Sequence, residues 1–446
     1  MNSRKIALDI LMDIGLKGSY SNYVIDRYLK GKISVKDRNL VRELVYGVLE
    51  NRTYLDYIIS QASNINIKKI HPKNLEILRM AVYQIAFMDR IPDRAAINEA
   101  VNLSKIGGHR GVSGYVNGVL RNIARNKKKF ISIDEKDRDK KLSIRYSHPL
   151  WMIRRWIRDY GYDFTESLCK YNNSRPSLNI RVNTIKTTRD KLACDLHKCG
   201  YTVNETRYAR DGLIVKRPVG ITETNEFKSG HFFIQDESSM LAAQIANPRE
   251  NSLVLDLCSA PGGKATHLGQ MMNNRGRIVC RDIYDHKLNL VKENADRLGI
   301  TIIETQNFDA LKLDEEWIEK ADYCIVDAPC SGLGIIRRRP EIKWNRTEKD
   351  IKDLTEIQSN ILDNAKKYVK SGGIILYSTC TIGKAENIDM VKDFIDKNPE
   401  FELAGFESLI HPEQDMETLK DGYVELFPHI HHTDGFFIAK IRKKDR

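Results

Sequence analysis

Residues 253–264 read LVLDLCSAPGGK and combine a strand-like run with a glycine-rich turn. The mostly apolar start of this stretch is typical of a strand that is buried on both faces of a parallel sheet, and the Pro-Gly-Gly-Lys that follows indicates a turn into a helix. Gly262 and Gly263 allow the backbone to approach a ligand closely, and the first turn of a helix offers N–H groups to it. We therefore predict that residues 258–264 form a cofactor-binding loop.

The spacing within this loop excludes two common nucleotide sites. The loop lacks the G-x-G-x-x-G pattern of a dinucleotide site, and Lys264 is followed by Ala265 instead of the Ser or Thr of a P-loop. A plain strand-to-helix turn without a ligand is the alternative that the loop alone leaves open.

Four more apolar segments follow, separated by helix-like stretches: RIVCRDI (277–283), TIIETQ (301–306), YCIVDAP (323–329) and GIILYSTC (373–380). Strands that alternate with helices predict a parallel sheet covered on both faces, which is a doubly wound, Rossmann-like α/β domain over residues 231–446. Ligands of such sheets bind beyond the carboxyl ends of the strands. We expect the functional residues at those ends.

Two acidic residues at strand ends indicate an adenosine-containing cofactor. Asp282 ends the second strand about 20 residues past the glycines, where a carboxylate accepts hydrogen bonds from both ribose hydroxyls. Asp309 follows the third strand and is placed to accept from an adenine amino group. A helix cap is an equally simple interpretation of Asp309.

Two cysteines end the next strands. The fourth strand runs into DAPCSG (327–332) and the fifth into STC (378–380), so Asp327, Cys330 and Cys380 should converge on one cleft. A lone cysteine in a buried strand is usually a packing residue, and we interpret Cys280 and Cys324 in that way. The pair in these contexts favours a catalytic function.

The first part of the chain is predicted to be all-helical. Apolar residues recur at helical spacing through residues 1–126, Pro72 and Pro92 fall at helix starts, and Gly107 and Gly108 break the pattern. The segments INEAVNLSK (97–105) and YVNGVLRNI (115–123) resemble the NusB-type antitermination fold, which is an RNA-binding helical bundle.

Between the two large domains we predict a linker and a small domain. Residues 127–144 hold a dense run of mixed charge, which is typical of a linker. Residues 145–230 contain a basic helix and then alternate between strand-like and helix-like patterns, which predicts a small α+β, RNA-binding domain. Trp151 and Trp156 lie among arginines and could stack on bases or anchor a core.

Charge and composition narrow the function class. Residues 1–230 carry 43 Lys and Arg against 24 Asp and Glu, whereas residues 231–446 carry 29 against 36. A basic front half suits a polyanionic partner, although a merely soluble basic surface explains it equally well.

No run of about 18 apolar residues and no export signal occur, so we expect no membrane span. The eight cysteines show no zinc spacing, which predicts free thiols in the cytoplasm and no metal.

The motifs CSAPGGK, DAPCSG and STC resemble those of the RNA 5-methylcytosine methyltransferases. With the NusB-like front, the whole chain resembles the bacterial ribosomal RNA small subunit methyltransferase B family. The resemblance implies a methyltransferase core, S-adenosylmethionine as donor and a cytosine in 16S ribosomal RNA as target. It implies Cys380 as the nucleophile, with Cys330 assisting its release. The residues that it implies around the cofactor are Cys258, Ser259, Ala260, Pro261, Gly262, Gly263, Lys264, Asp282, Asp309 and Asp327.

The chemistry explains why these residue types are needed. Carbon 5 of cytosine is a poor nucleophile, but addition of a thiolate to carbon 6 turns the ring into an enamine with electron density at carbon 5. Cys380 would supply the thiolate. Asp327, if burial raises its pKa, would donate a proton to nitrogen 3.

Three other functions fit parts of the sequence. A non-catalytic RNA-binding or antitermination factor would need only the NusB-like front. A transfer RNA cytosine methyltransferase shares the catalytic motifs. An adenine N6-methyltransferase would show Asn or Asp-Pro-Pro-aromatic at the fourth strand, where this chain has Asp-Ala-Pro-Cys.

Overall fold

The computed structural model describes residues 2–31, 33–106, 110–410 and 416–445. The chain forms two compact units. The first, here called the helical unit, comprises Met1–Ser174 and Ile336–Arg346, and the second, the sheet unit, comprises Arg175–Ile335 and Thr347–Arg446. Gly107 and Gly108, predicted as a break between helices, lie outside the described residues.

The elements follow one another along the chain with these bounds. The helices are α1 Ser3–Lys17, α2 Ser21–Leu29, α3 Val35–Ala62, α4 Pro72–Phe87, α5 Asp93–Lys105, α6 Arg110–Arg125, α7 Lys127–Ile131, α8 Arg138–Tyr146, α9 Leu150–Tyr160, α10 Tyr162–Asn172, α11 Arg189–Lys198, α12 Asn225–Lys228, α13 Glu237–Ala246, α14 Gly263–Met271, α15 Asp285–Leu298, α16 Ile342–Asn345, α17 Glu348–Tyr368, α18 Ile388–Lys397 and α19 Pro428–His431. The strands are β1 Leu178–Val182, β2 Thr202–Glu205, β3 Gly212–Lys216, β4 Phe232–Ile234, β5 Leu253–Asp256, β6 Arg277–Asp282, β7 Ile303–Asn307, β8 Ala321–Asp327, β9 Val369–Thr379, β10 Phe401–Leu403, β11 Tyr423–Leu426 and β12 Phe436–Lys443.

The helical unit confirms the prediction of an all-helical front. Leu44 and Val48, one turn apart on α3, are fully buried in one core together with Leu78 of α4. Gly47 lets α3 approach α4 closely, because a Cβ there would lie 2.0 Å from the ring of Tyr83. Packing of α3 against α4 therefore requires a residue without a side chain at position 47.

The segment predicted as a linker, residues 127–144, contains α7 and the start of α8. Phe130 and Leu142 anchor these short helices because both side chains are buried. Trp156 is fully buried as well, so of the two interpretations offered for it the core anchor is right. Such short helices cannot be predicted from apolar periodicity, because one or two buried apolar residues are enough to hold each of them in place.

Residues 336–346 pack in the helical unit although the sheet unit surrounds them in the sequence. The buried carboxylate of Glu341 accepts from the backbone N–H of Ser21 at 3.0 Å and from its hydroxyl at 2.8 Å. Lys343 donates to the carbonyl of Glu50 at 2.9 Å, and burial lowers the pKa of its amine to about 7. Trp344 donates to the carbonyl of Leu49 at 2.8 Å. These bonds satisfy polar groups that burial would otherwise leave without partners.

A four-stranded antiparallel sheet in the order β2-β3-β1-β4 forms the small α+β part of the sheet unit. Its core contains Ile180, Leu213 and Phe232, packed against Leu192 of α11. The boundary predicted at residue 230 places β4 at the start of the larger domain, whereas in the structure β4 pairs with β1 of the small sheet. The predicted domain boundaries at 126, 144 and 230 stay predictions.

The large sheet has the strand order β10-β12-β9-β8-β5-β6-β7, and β11 pairs with β12. Strands β9, β8, β5, β6 and β7 run parallel, as the sequence predicted, and the last three strands of the chain add to them antiparallel. Successive residues of a strand face opposite sides: Val254 packs with α13 and α14, whereas Leu255 packs with α17 and α18. The doubly wound α/β prediction is confirmed.

This topology brings polar strand ends together. Asp256 of β5 pairs in register with Ile325, and Asp327 of β8 with Ser378. Because these strands are parallel, their carboxyl ends share one edge of the sheet. Within the described part of the chain, none of the helices combines the length and the apolar content that crossing a bilayer requires.

Candidate active site

The loop after β5 turns sharply into α14. Gly262 has a φ of +95° and begins the helix, and a Cβ at this position would lie 3.2 Å from the Cα of Val291. Ser259 fixes the loop on the neighbouring strand, since its N–H and its hydroxyl both donate to the carbonyl of Arg281, at 2.9 and 3.1 Å. This close approach is to Val291 of α15, and binding of a cofactor by the loop stays a prediction.

Arg181 of β1 holds the same loop from the other side, and sequence reasoning missed it. Its guanidinium donates to the carbonyl of Gly263 at 2.5 Å and to the hydroxyl of Thr266 at 3.0 Å. Burial lowers the pKa of Arg181 to about 9. The strand-like segment SLNIRVN places this arginine on the sheet, but no local pattern shows that it reaches the loop.

A cavity of about 420 Å³ lies beside the loop, and five of the ten residues predicted around the cofactor line it. The other five, which do not line it, are Ser259, Pro261, Gly262, Gly263 and Lys264. The polar lining of the cavity includes Asp282, Asp309 and Asp327, and its apolar lining includes Ile283, Leu311, Pro329, Ile357 and Ile361. Cys258 and Ala260 line it as well. A cavity lined by apolar side chains and carboxylates suits an adenosine group, whose base packs against the apolar side chains.

Asp282 and Asp309 also accept hydrogen bonds from the backbone of the turns that follow them. Asp282 accepts from the backbone N–H of Tyr284 at 3.1 Å and lies 3.8 Å from the ammonium of Lys287. Asp309 accepts from the N–H of Leu311 at 3.0 Å. Residues 310–312 form a turn and not a helix, so the helix-cap interpretation of Asp309 is wrong; Asp309 caps this turn and also lines the cavity.

Asp327 stands between the cavity and the cysteines. Its carboxylate accepts from the ammonium of Lys264 at 2.6 Å and from the hydroxyl of Ser378 at 2.9 Å. Lys264 also lies over the ring of Phe436 at 5.1 Å, which leaves it little exposed. The structure thus joins the cofactor loop to the strand that carries Cys380 through one ion pair.

Cys330 and Cys380 face each other with their sulfur atoms 3.3 Å apart, and both residues are partly exposed. The hydrogen bond to Cys380 raises the pKa of the Cys330 thiol well above its usual value, and burial acts in the same direction. The interpretation of Cys280 and Cys324 as packing residues is confirmed, since both are fully buried.

Asp256 is a second residue that sequence reasoning left out of the site. It is fully buried at the end of β5; burial raises its pKa to about 7, the charge of Asp327 adds to this rise, and Lys264 opposes it. One carboxylate oxygen accepts weakly from the N–H of Cys258 at 3.3 Å, and the other has no hydrogen-bond partner among the residues that the structure describes. A carboxylate that ends an apolar strand directly before the loop was the available signal.

Family models match three parts of the chain. Residues 243–442 match the model described as 16S rRNA methyltransferase RsmB/F, and residues 1–125 match the NusB family. Residues 148–222 match the ferredoxin-like domain of RsmF/B-like methyltransferases.

Two curated proteins are similar over nearly the full length. The "Probable ribosomal RNA small subunit methyltransferase B" of Bacillus subtilis (strain 168) is 39% identical over 99% of this chain and 98% of its own. The "Ribosomal RNA small subunit methyltransferase B" of Photorhabdus laumondii subsp. laumondii is 30% identical over 99% of both chains.

Solved structures agree with these matches. The crystal structure of the protein PH0851 is 28% identical, covers 99% of both chains and superimposes with a TM-score of 0.84. NSun6 from Pyrococcus horikoshii, solved with SFG, is 25% identical over 66% of this chain and 97% of its own, with a TM-score of 0.59.

Proposed function

Because the chain belongs to the ribosomal RNA small subunit methyltransferase B family, which makes it an rRNA methyltransferase, we propose that it methylates carbon 5 of a cytosine in 16S rRNA. The observation that carries this proposal is the pair of thiols, 3.3 Å apart, at the ends of β8 and β9. A methyltransferase that acts on an amine or a hydroxyl needs no thiol, whereas attack on a pyrimidine ring needs one.

The residues around the cavity fit S-adenosylmethionine. Asp282 would accept from the ribose hydroxyls, Asp309 would accept from the adenine amino group, and the orphaned carboxylate oxygen of Asp256 suits a cationic group such as an ammonium. When bound, this cofactor supplies an electrophilic methyl group on a sulfonium.

Cys380 would act as the nucleophile. Its thiolate forms a bond to carbon 6 of the cytosine, and the electron pair of the carbon 5–carbon 6 bond becomes available at carbon 5. We assign Cys330 as the partner that keeps its proton, because the pKa of its thiol is raised, and its S–H would then stabilise negative charge on the Cys380 sulfur 3.3 Å away.

Lys264 and Asp327 would stabilise the charge that moves toward nitrogen 3 of the ring. The carboxylate accepts from the ammonium at 2.6 Å and so fixes its direction beside the thiols. The sequence assigned the proton donor to Asp327 alone, whereas the pair offers an ammonium N–H for the same task. After carbon 5 has been methylated, a base takes its proton and Cys380 departs, with Cys330 assisting.

The front half would hold the RNA. Residues 1–230 carry 43 basic against 24 acidic residues, and phosphate contacts of this kind supply affinity without base specificity. The target cytosine has to leave its stack before a thiol reaches the face of the ring.

Cys380→Ala tests the nucleophile directly. We expect methyl transfer from labelled S-adenosylmethionine to unmethylated 16S rRNA to fall by about 10³-fold or more, because the covalent route is lost. Cofactor affinity, measured by equilibrium dialysis, should stay within about twofold of the parent value because Cys380 does not line the cavity.

Cys194→Ala is the matched control, since Cys194 is an exposed free thiol on α11. It should leave turnover unchanged. Multiple-turnover activity of Cys380→Ala above a few per cent of the control would contradict the nucleophile assignment.

A further inference from the structure

A buried polar network joins the two loops that carry the thiols. We call it the thiol clamp and define it as Ser331, Gln358, Thr381 and Glu386, all of which are fully buried. Ser331 follows Cys330 and Thr381 follows Cys380 in the sequence, and their hydroxyl oxygens lie 2.7 Å apart. The clamp therefore connects the residues directly next to each cysteine.

Glu386 is the acceptor at the centre of the clamp. One carboxylate oxygen accepts from the backbone N–H of Ser331 at 2.8 Å, and the other accepts from the hydroxyl of Ser331 at 2.5 Å. The amide of Gln358 donates to the first oxygen at 3.2 Å and to the carbonyl of Pro329 at 2.9 Å. The carboxylate and the amide thus hold the chain on both sides of Cys330.

The loop that carries Glu386 is itself fixed to β9. Tyr377 donates through its hydroxyl to the carbonyl of Glu386 at 2.7 Å. Asn387 donates to the carbonyl of Thr381 at 3.1 Å and accepts from the hydroxyl of Thr379 at 2.6 Å. Glu386 is therefore fixed relative to β9, which precedes Cys380, and in turn fixes the loop that contains Cys330.

Burial makes this arrangement rigid. A carboxylate taken out of water is stabilised only when hydrogen-bond donors surround it, and Glu386 has three. No residue of the clamp lines the cofactor cavity. The network has no evident role in cofactor binding, whereas it constrains the thiol pair directly.

We propose that Glu386 is a positioning residue that holds the Cys330 thiol against Cys380 and so sets the rate at which the methylated base is released. The proposal rests on the proposed function, in which Cys330 assists the departure of Cys380. Attack by Cys380 should depend less on the clamp, because Cys380 directly follows Thr379, the last residue of β9, which pairs in register with Phe437 of β12.

Two substitutions separate the geometry of the clamp from its charge. Glu386→Ala leaves the N–H of Ser331 and the amide of Gln358 without their acceptor, so the Cys330 loop loses its constraint. Glu386→Gln keeps the geometry: its carbonyl oxygen accepts from both donors, and its amide donates to the Ser331 hydroxyl. In the parent protein the Ser331 hydroxyl donates to Glu386 and accepts from Thr381, whereas in Glu386→Gln its proton becomes available to Thr381, so the contact is kept with its direction reversed.

Glu237→Ala is the matched control. Glu237 is another buried glutamate of the sheet unit, and it accepts from the backbone N–H groups of Tyr208 and Ala209. Its removal reproduces the general effect of deleting a buried, hydrogen-bonded carboxylate. Cofactor affinity and melting temperature are measured for all variants, so that loss of fold is recognised.

The first measurement is kinetic. In Glu386→Ala we expect steady-state turnover to fall about 10- to 100-fold, as is typical when a supporting hydrogen-bond partner is removed, while the first methyl transfer changes less than about threefold. A covalent RNA–protein adduct should accumulate on a denaturing gel. Glu386→Gln should stay within about threefold of the parent protein in all three measurements. The proposal would be overturned if steady-state turnover fell equally in Glu386→Ala and Glu237→Ala. It would also be overturned if Cys330→Ala formed the RNA–protein adduct and Glu386→Ala did not.

The second measurement needs neither RNA nor activity. Phenylarsine oxide condenses with two neighbouring thiols, forming two arsenic–sulfur bonds and releasing one water, so its affinity reports whether the thiols are held together. We expect about tenfold weaker binding in Glu386→Ala than in Glu386→Gln. Unchanged binding in Glu386→Ala would overturn the positioning role. Arsenical binding can follow the prediction while no variant, including Cys330→Ala, forms an RNA adduct. That result would support the positioning of the thiols by Glu386 and contradict the proposed covalent function.

Discussion

Replacement of Asp256 by Asn should change how the stability of the sheet unit depends on pH. Asp256 is fully buried, and its pKa is raised from 3.8 to about 7, first by burial and then by the charge of Asp327. In the unfolded chain the carboxyl group loses its proton near pH 4, whereas the folded protein holds that proton until about pH 7. The folded state therefore binds more protons between these values, and its stability falls as the pH rises through this window.

The magnitude follows from the size of the shift. Each pKa unit corresponds to about 1.4 kcal/mol, so a rise of about three units lowers the free energy of unfolding by about 4 kcal/mol between about pH 4 and about pH 7. Below this window the group is protonated in both states, and above it the group is ionised in both, so the effect is constant outside the window. The amide that Asp256→Asn introduces does not titrate, so the variant should lack this dependence.

Urea unfolding at several pH values, followed by pulsed hydrogen exchange of peptides that cover β5 and β6, measures the effect. The parent protein should lose about 4 kcal/mol relative to Asp256→Asn from about pH 4 to about pH 7. Glu304→Gln is a control of opposite sign, because the hydrogen bond from Arg277 lowers the pKa of this carboxyl group. A difference between parent and Asp256→Asn that stays constant with pH would refute the assignment of a raised pKa to this group.

Two further predictions concern the thiol loops. Cys330→Ala should accumulate a covalent RNA–protein adduct, seen as a band shift on a denaturing gel, because Cys330 is 3.3 Å from the departing sulfur; absence of the band would remove Cys330 from the release step. Gly334→Ala should lower the free energy of unfolding in urea by about 1–3 kcal/mol, because its Cβ would lie 2.0 Å from the carbonyl oxygen of Gly435. Gly383→Ala has open space and should be nearly neutral, and equal stabilities of the two variants would contradict this packing argument.

The sequence predicted the parallel strands well because such strands are buried on both faces and form nearly continuous apolar runs. LVLDLC and GIILYSTC fall on β5 and β9, and the polar residues at strand ends, such as Asp256 and Asp327, mark the functional edge. The candidate site was predicted at that edge for the same reason: a polar residue at the end of a buried strand needs a partner or a ligand.

The antiparallel additions were missed for physical reasons. β4 and β10 have three residues each, so their existence depends on pairing with β1 and β12 rather than on a local pattern. β12 is longer and apolar, but it pairs with β9 across an intervening segment that contains α18, β10, β11 and α19. Local propensity carries no information about which distant strand a segment joins.

Long-range polar contacts were equally invisible. Glu341 bonds to Ser21 across 320 positions, and Glu386 bonds to Ser331 across 55. Each glutamate looks like an ordinary surface residue in the sequence, since glutamates are rarely buried. Only the folded structure shows that both are buried acceptors.

The most direct test of the account is to locate the covalent bond. RNA that carries 5-fluorocytidine at the methylated position should trap the enzyme after methyl transfer, because the fluorine on carbon 5 cannot leave as a proton does. Digestion and mass spectrometry should then place the methylated nucleotide on the peptide that contains Cys380. A nucleotide attached to Cys330, or methyl transfer to unmodified RNA by a protein that never forms the trapped adduct, would contradict the claim that the Cys380 thiolate attacks carbon 6.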